Sequence, residues 1–371
     1  MNQKEYYGTK SIENLKIILN QVKPKSIFLV TGKRSYSHHE NKLKSMLLNY
    51  KYTRFYNFEV NPKIEDVEKG VEIIKREKCD FVICIGGGSV LDIGKIINIL
   101  SKQKEEPSKY IKKELNLEKR GNKLIAIPTT AGTGSEATHF ATVYINKTKY
   151  SLSNNFILPD YVILDPELTF SLPKRETACT GIDALSQAIE SYWNINSTEE
   201  SKRYAKKSIR LVMNNLIEAV KSPSKKSRSL MMLGSNLAGK AINITKTTAP
   251  HAISYPMTIH FNIPHGHAVA LSLPGILLHN SLITEETNLD PRGANYVKKT
   301  LKEIFGLLEV KSAEEAKIKL NSLIKEIGLE TTLKELGINN IEVISKEGLN
   351  PERVKNNPTI VTEDTIKKIL E

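Results

Sequence analysis

The order of strand and helix patterns along the chain restricts its fold more than any other sequence feature. In the first half, short apolar runs typical of buried strands alternate with segments of helical periodicity. After Asp165-Pro166 the pattern changes, and from about Arg175 onward nearly every segment is predicted to be helical. Alternating strands and helices predict a mostly parallel sheet covered on both faces. We therefore expect an α/β domain at residues 1–172 and an all-helical domain at residues 173–371.

Apolar runs and periodicity locate the individual elements. Strands are predicted at 26–31, 54–60, 81–85, 124–127 and 161–164, with a hairpin over 144–152 around Asn146-Lys147. Helices are predicted at 64–77 and 90–100 in the first half. In the second half they are predicted at 180–193, 198–220, 227–242, 266–282, 295–308, 313–327 and 363–370, without strand runs. The domain boundary is predicted near residue 172, at Ser171-Leu172-Pro173.

Composition and length narrow the class of protein. A chain of 371 residues, with 40% hydrophobic and 26% charged residues, has ordinary globular composition, and its length favours two domains. No apolar run approaches the roughly 18 residues that a membrane span needs, and the N-terminus is polar. The three cysteines lack zinc-ribbon or CxxC spacing. We therefore expect a cytoplasmic protein with reduced thiols and no membrane association.

The chain is strongly basic, with 54 lysines and arginines against 41 acidic residues and a net charge of +13. Such an excess occurs in nucleic-acid-binding proteins, but here the lysines are spread along the whole chain instead of gathered in one block. This distribution favours a solvated basic surface, with an anionic substrate as its second use. No nucleic-acid partner is expected, and a non-catalytic RNA-binding protein on this fold remains the alternative from another class.

A glycine turn connects the predicted strand at 81–85 to the following helix. Gly86, Gly87, Gly88 and Ser89 let a pyrophosphate approach the backbone, where the helix N-terminus offers unpaired N–H groups and a positive dipole end. Asp92 lies in the first turn of that helix. We predict that these residues bind a dinucleotide, with a plain glycine-rich connection as the alternative.

A second loop, residues 128–136, follows another predicted strand and is rich in hydroxyl groups and glycine. Because α/β sheets bind ligands at the carboxyl ends of their strands, this loop is predicted to contact phosphate, ribose or nicotinamide. Helix capping by a hydroxyl of this loop is the alternative role. The predicted contacts are Thr129, Thr130, Thr133, Ser135 and, from the hairpin at 144–152, Lys149.

The segment after the first predicted strand bears on the choice of cofactor. An acidic residue there usually holds the ribose hydroxyls of NAD, whereas a basic residue accommodates the 2′-phosphate of NADP. Gly32, Lys33 and Arg34 supply two bases and no acid. They are predicted cofactor contacts and favour NADP(H) over NAD(H).

A carboxylate and several histidines form a candidate metal site. Asp183 and Gln187 are four residues apart in a predicted helix, so they project from the same face. An unpaired buried carboxylate is costly, and His251 and His265 offer two nitrogens for a shared ion. One carboxylate and two imidazoles leave coordination positions open for a substrate. Alternatively, Asp183 caps its helix and the histidines are hydrogen-bonded core residues.

Five ordered motifs resemble the iron-containing, or group III, alcohol dehydrogenase family. They are GGGS at 86–89, PTTAGTGSE at 128–136, LPDYVILDPELT at 158–169, TGIDAL at 180–185 and IPHGHA at 263–268. The resemblance implies a dehydroquinate synthase-like fold: a Rossmann-like dinucleotide-binding domain followed by an all-α domain for metal and substrate. It also implies an NAD(P)-dependent alcohol dehydrogenase or aldehyde reductase, and a homodimer.

The resemblance assigns one divalent metal, Fe(II) or Zn(II), to Asp183, Gln187, His251 and His265. Gln187 stands where the family has a histidine, and an amide oxygen binds iron or zinc more weakly than imidazole does. The ion is then expected to keep three strong ligands or to be held more loosely. Tyr255 replaces a histidine that relays protons in many members. Tyr255, His267 or water is the expected proton donor, with packing as the alternative role of Tyr255.

Two stretches, 183–198 and 239–270, look closest to phosphonoacetaldehyde reductases. The resemblance therefore predicts reduction of phosphonoacetaldehyde to 2-hydroxyethylphosphonate. A dianionic group needs cationic and hydroxyl donors, so Lys246, with threonines on both sides, is the first candidate for the phosphonate and His139 the second. A surface position is the alternative for Lys246.

Other substrates and another reaction remain open. A different short anionic aldehyde such as succinic semialdehyde, or a simple alcohol or diol, would suit the same family. A lyase related to dehydroquinate synthase is disfavoured, because it would need more lysine and arginine around 181–190.

Overall fold

Parallel strands form the centre of the first part of the chain. The structure, a computed structural model, describes residues 3–146 and 148–371, without the side chains of Arg34 and Ser35. The chain divides into two compact units. The first contains Met1–Thr130 and Gly134–Ser171, and the second contains Ala131–Thr133 and Leu172–Glu371.

The first unit contains eight strands and six α-helices among its described residues. The strands are β1 Lys4–Tyr7, β2 Ile27–Thr31, β3 Tyr52–Phe55, β4 Phe81–Gly86, β5 Lys123–Pro128, β6 Phe140–Ile145, β7 Thr148–Ser153 and β8 Tyr161–Leu164. The helices are α1 Asn14–Val22, α2 Lys33–Ser37, α3 Glu40–Leu47, α4 Ile64–Arg76, α5 Gly88–Leu100 and α6 Pro107–Ile111. Six strands form a parallel sheet in the order β1-β8-β5-β4-β2-β3, and β6 and β7 form a separate antiparallel hairpin.

Both faces of the parallel sheet are buried. Successive side chains of a strand point to opposite faces, so Val82 and Cys84 of β4 join one hydrophobic cluster while Ile83 and Ile85 join the other. The first cluster includes residues of α4, α5 and α6, and the second includes residues of α1 and α3. Strands covered on both sides read as continuous apolar runs, which is why the sequence predicts them well.

Helices form the second unit. They are α7 Lys174–Trp193, α8 Glu199–Lys221, α9 Lys225–Thr245, α10 Ala249–Phe261, α11 His265–Ser281, α12 Ala294–Leu307, α13 Ala313–Glu326, α14 Glu342–Glu347, α15 Pro351–Val354 and α16 Glu363–Leu370. Capping boxes begin α8 at Thr198 and α9 at Ser224, where side chains satisfy the first backbone N–H groups. The predicted combination of a parallel α/β part with a helical C-terminal part is confirmed.

One predicted strand is shorter in the structure, and several observed elements were not predicted. The strand expected at 54–60 ends at Phe55, because the chain leaves the sheet before Asn61-Pro62. The strand β1 and the helices α1, α2, α3, α6, α14 and α15 have no counterpart among the predictions. The helix α10 was not predicted either. Ten of its residues are buried and it contains Pro256, so it shows neither a polar face nor an uninterrupted helical pattern. The predicted hairpin turn includes Lys147, which lies outside the described residues.

None of the helices in residues 3–146 and 148–371 combines the length and apolar character needed to span a membrane.

Candidate active site

Three helices of the second unit bring the candidate metal ligands together. Asp183 lies on α7, His251 near the start of α10, and His265 is the first residue of α11. One ligand atom from each of these three side chains lies within 4.8 Å of the others. Since zinc and iron bond to nitrogen and oxygen at about 2 Å, two ligands of one ion lie at most about 4 Å apart, so these side chains need only a small adjustment to share an ion.

A glycine permits this convergence. A Cβ atom on Gly266 would lie 1.9 Å from the Cys179 carbonyl oxygen and 2.7 Å from the Asp183 Cβ. Only a residue without a side chain lets α11 approach α7 so closely. Gly266 therefore sets the position of the adjacent His265 relative to Asp183.

Glu190 lies behind His251 and is fully buried. One carboxylate oxygen bonds to His251 Nδ1, and the other accepts hydrogen bonds from the Thr248 N–H at 2.7 Å and the Thr248 hydroxyl at 2.8 Å. A carboxylate on Nδ1 places the proton there, which leaves Nε2 as the ligand atom. Nε2 lies 3.4 Å from Asp183 Oδ1. Burial disfavours the imidazolium, yet the Glu190 and Asp183 carboxylates raise the pKa of His251 to about 10.

Gln187 lies one turn after Asp183 and is also buried. Its Nε2 donates a hydrogen bond to Asp183 Oδ2 at 3.1 Å. Its Oε1 is buried and has no hydrogen-bond donor among the described residues. The amide thus orients the carboxylate, and its oxygen retains lone pairs that a cation would satisfy.

Tyr255 and Arg353 extend the cluster. The Tyr255 ring stacks on the His265 ring with centroids 6.3 Å apart, and the His265 and His251 rings meet edge to face at 5.3 Å. Arg353 Nε donates to the Tyr255 hydroxyl oxygen at 3.2 Å. Arg353 is only 5% exposed, and its Nη1 has no acceptor among the described residues. Burial lowers the pKa of Arg353, but Tyr255 and the carboxylates of Glu352 and Glu190 raise it overall, so nearby acids balance part of its charge. A buried guanidinium nitrogen without an acceptor is costly, which favours a further acceptor such as an anionic ligand.

His267 occupies a different environment from His265. It is fully buried, and its Nε2 lies 2.8 Å from the backbone carbonyl of Glu330, so this nitrogen carries the proton. Residues two apart on a helix lie on nearly opposite faces, so His267 is turned away from the face that carries His265. Burial also lowers its pKa. These contacts describe a packed core histidine.

Lys246 has a strained backbone conformation. It ends α9 with φ 63° and ψ −170°, a region that is essentially restricted to glycine. Its carbonyl oxygen accepts hydrogen bonds from Thr245 Oγ1 at 2.8 Å and Asn194 Nδ2 at 3.3 Å, and its N–H donates to the Ile242 carbonyl at 2.7 Å. The next carbonyl, of Thr247, accepts from Asn356 Nδ2 at 3.0 Å. Strain maintained by its surroundings in this way is concentrated at functional sites.

The glycine turn lies at the carboxyl edge of the sheet in the first unit. Gly86 ends β4, Gly87 precedes α5, and Gly88 begins it. The Thr129 N–H donates to the Gly86 carbonyl at 3.0 Å, so the two predicted cofactor loops are neighbours. Ser89 Oγ accepts from the Asn61 N–H at 3.4 Å. The arrangement leaves the N-terminus of a 13-residue helix at this edge.

Asp92 and Ser135, both predicted cofactor contacts, bond to each other. Ser135 Oγ donates to Asp92 Oδ1 at 2.5 Å, and Asp92 Oδ2 accepts from the N–H and hydroxyl of Thr142. These bonds tie the 128–136 loop and the β6–β7 hairpin to α5. Gly134 turns the loop with φ 61°, which glycine adopts without strain.

Lys95 supports the same loop and was not among the predicted site residues. It is 1% exposed, and its Nζ lies 2.6–3.1 Å from oxygens of Ser135, Thr138 and Phe140. Burial lowers the pKa of Lys95 to about 8, opposed by the carboxylates of Asp92 and Glu136. These contacts hold the end of the 128–136 loop in place.

The remaining predicted contacts are distributed over both units. Thr130, Lys149 and His139 are half-buried in the first unit, and Lys33 is exposed on α2. Gly32 precedes α2, and the side chain of Arg34 lies outside the described residues. Thr133 belongs to the segment Ala131–Thr133 of the second unit, where a Cβ on Gly132 would lie 2.6 Å from Thr180 Cβ. This segment therefore packs on α7 one turn before Asp183.

Sequence reasoning missed Glu190 and Arg353. The only signal for Glu190 was its position seven residues after Asp183, two helical turns along the same face. Arg353 lies 98 residues from Tyr255, and nothing local in the sequence indicates their contact.

Sequence comparison assigns the family. Residues 2–166 match the family model described as iron-containing alcohol dehydrogenase, and residues 177–371 match the C-terminal model of the Fe-containing alcohol dehydrogenase family. The chain belongs to the iron-containing alcohol dehydrogenase family. It is therefore an oxidoreductase of this family, as its sequence predicts.

Individual relatives carry several activities. The NADPH-dependent butanol dehydrogenase of Clostridium saccharobutylicum is 31% identical over 99% of this chain and 95% of its own. The phosphonoacetaldehyde reductase of Streptomyces viridochromogenes is 29% identical over 79% of this chain and 76% of its own. The crystal structure of sulfoacetaldehyde reductase from Bifidobacterium kashiwanohense in complex with NAD+ superposes with a TM-score of 0.87 at 28% identity, covering 99% of this chain and 96% of that one.

Proposed function

We propose that this family member is a metal-dependent aldehyde reductase that uses NADPH to reduce a short anionic aldehyde, first of all phosphonoacetaldehyde to 2-hydroxyethylphosphonate. The convergence of Asp183, His251 and His265 within 4.8 Å carries the proposal. We further propose that the first unit binds the dinucleotide and the second binds the metal and the aldehyde.

The residues present fit a divalent cation. The buried Gln187 Oε1, without a donor among the described residues, is an acceptor that a cation would satisfy. Two imidazoles and one carboxylate form a donor set that suits iron or zinc and leaves positions for a substrate oxygen. Glu190 holds the His251 ring in the tautomer that ligation needs.

Each side chain then has a defined task in the reaction. When bound, the metal supplies Lewis acidity toward the carbonyl oxygen, and the reduced nicotinamide supplies the hydride for the carbonyl carbon. Tyr255 would supply the proton to the product oxygen, and the hydrogen bond that its Oη accepts from Arg353 would hold the hydroxyl in position. The segment Ala131–Thr133, which packs on α7 next to the ligands, is suited to hold the nicotinamide end.

Two cations support an anionic substrate. Arg353 is buried beside Tyr255, and its Nη1 has no acceptor among the described residues. Lys246 is held in a strained conformation five residues before His251. Phosphonoacetaldehyde reductase and sulfoacetaldehyde reductase, two relatives, are each named for a two-carbon aldehyde with a charged group. A third relative is named NADPH-dependent butanol dehydrogenase. Its name supports NADPH as the cofactor, but it also shows that uncharged substrates occur in this family.

The test is metal-reconstituted turnover. Purified protein is stripped of metal, reloaded with Fe(II) or Zn(II), and assayed at 340 nm with NADPH or NADH and with phosphonoacetaldehyde, succinic semialdehyde or butanal. We expect metal-dependent turnover with NADPH, highest kcat/KM for phosphonoacetaldehyde, and a loss of about 100-fold or more in metal affinity for Asp183→Ala. The exposed Asp364→Ala is the matched control.

The outcomes separate the parts of the proposal. Absence of nicotinamide oxidation with every aldehyde would disprove the reductase. Equal kcat/KM for butanal and phosphonoacetaldehyde would contradict only the proposed preference for an anionic substrate.

A further inference from the structure

Arg54 lies at the part of the sheet where dinucleotide-binding domains hold the adenosine ribose and distinguish NAD from NADP. It is the third residue of β3, which runs parallel to β2. Its Nε donates a hydrogen bond to the hydroxyl of Thr31, the last residue of β2, at 2.9 Å. The guanidinium therefore reaches the carboxyl end of β2, directly before Gly32.

Two aromatic rings hold this guanidinium in place. The Arg54 Cζ lies 3.6 Å from the centroid of the Tyr36 ring and 4.3 Å from that of the Tyr56 ring. Tyr36 is itself buried, at 3% exposed, so it provides a rigid surface. Together with the bond to Thr31, these contacts fix the side chain before any ligand arrives, which lowers the entropic cost of binding.

Arg54 forms no salt bridge with a carboxylate of the described residues. Glu40 is the nearby acid: Lys44, 2.8 Å away, and more weakly Arg54 lower the pKa of its carboxyl, so Glu40 is already paired with Lys44. Nε is occupied by Thr31, and neither Nη atom bonds to a described residue. Arg54 is half-buried, so these two nitrogens can reach an incoming anion.

The location indicates which anion. β2 is the strand next to β4, which leads into the glycine turn. In dinucleotide-binding sheets the ribose of the adenosine lies at the end of that neighbouring strand, where an acid selects NAD and an arginine accommodates the 2′-phosphate of NADP. Residues 31–35 contain no acid. A planar guanidinium with two available nitrogens matches the oxygens of a phosphate.

We propose that Arg54 binds the 2′-phosphate of NADPH and determines the cofactor preference of this enzyme. The inference rests on the proposed use of NADPH, and it adds a residue from β3 to the segment after β2. Tyr36 and Tyr56 are positioning residues that hold the guanidinium.

The test compares two nucleotides that differ only in the 2′-phosphate. Calorimetry on the full-length protein measures the affinity of 2′,5′-ADP and of 5′-AMP for wild type, Arg54→Gln, Arg54→Lys and the exposed control Arg76→Gln. We expect wild type to bind 2′,5′-ADP about 10-fold or more tightly than 5′-AMP, and Arg54→Gln to lose that difference while its 5′-AMP affinity stays unchanged. Arg54→Lys keeps the charge but lacks the planar guanidinium, so its affinity for 2′,5′-ADP should lie between those of wild type and Arg54→Gln. In turnover, KM for NADPH should rise in Arg54→Gln and KM for NADH should not.

Three results would overturn the assignment, and they are distinguishable. Unchanged 2′,5′-ADP affinity in Arg54→Gln would show that another group binds the phosphate. If Arg54→Gln and Arg54→Lys both lost affinity for 2′,5′-ADP and for 5′-AMP to the same extent, Arg54 would only shape the site. No preference for 2′,5′-ADP in wild type would refute NADPH use itself, and with it the role of Arg54, without touching the metal-dependent reductase.

Discussion

Lys246 shows at the scale of one residue how the chain maintains a costly conformation. Its φ of 63° and ψ of −170° are destabilising for any residue with a Cβ, by roughly 1–3 kcal/mol. Hydrogen bonds from Asn194 and Thr245 to its carbonyl hold the conformation in place. The sequence identifies Lys246 as a candidate by its neighbours, but the strain becomes visible only in the backbone.

Replacing Lys246 by glycine or by alanine separates strain from charge. Both variants remove the ammonium, but only glycine removes the strain. We expect Lys246→Gly to unfold at higher urea concentration than Lys246→Ala, by about 1 kcal/mol or more in free energy of unfolding. Both should raise KM for phosphonoacetaldehyde about 10-fold and leave KM for butanal unchanged. Equal stabilities would argue against strain, and unchanged KM values would remove Lys246 from the substrate site.

At the scale of elements, the approach of α11 to α7 decides whether the ligands meet. The contact depends on Gly266, which lies against the Cys179 carbonyl. Helix periodicity cannot show this, because the constraint comes from a second helix more than 80 residues away in the chain.

Gly266→Ala should force the two helices apart. With a Cβ only 1.9 Å from a backbone oxygen, we expect a loss of about 2 kcal/mol or more in unfolding free energy by urea denaturation, and weaker Zn(II) binding because His265 moves away from Asp183. The matched control is Gly306→Ala in α12, where nothing lies within 4 Å of a new Cβ and helix propensity predicts a gain of up to about 1 kcal/mol. If Gly266→Ala behaves like this control, the close packing does not position the ligands.

At the scale of the whole molecule, two compact units carry separate parts of the proposed chemistry. The candidate metal ligands all belong to the second unit, whereas the glycine turn and Arg54 belong to the first. Ligand binding stabilises the native state of the region that holds the ligand.

Hydrogen exchange followed by mass spectrometry should therefore separate the two ligands. We expect Zn(II) to slow exchange in α7, α10 and the start of α11, and this protection should vanish in Asp183→Ala. NADPH should slow exchange around Gly86–Gly88 and the end of β2, and this protection should persist in Asp183→Ala. Metal-induced protection confined to the first unit would contradict the division of roles.

The sequence by itself determined the fold class and the family. Buried parallel strands appear as uninterrupted apolar runs, most helices of the second unit show clear periodicity, and five motifs occur in family order. Local patterns of this kind depend on residues that are close together in the chain, so one sequence suffices to read them. The helix α10, with ten of its 13 residues buried, is among the helices that these local patterns did not predict.

Only the tertiary structure decided which side chains meet. The contacts of Glu190 with His251, Arg353 with Tyr255, Gly266 with Cys179 and Arg54 with Thr31 and Tyr36 all join residues that are distant in sequence. Such contacts arise from packing between elements, which no periodicity encodes. The same packing placed His267 Nε2 against the backbone carbonyl of Glu330, a contact that the motif shared with His265 does not reveal.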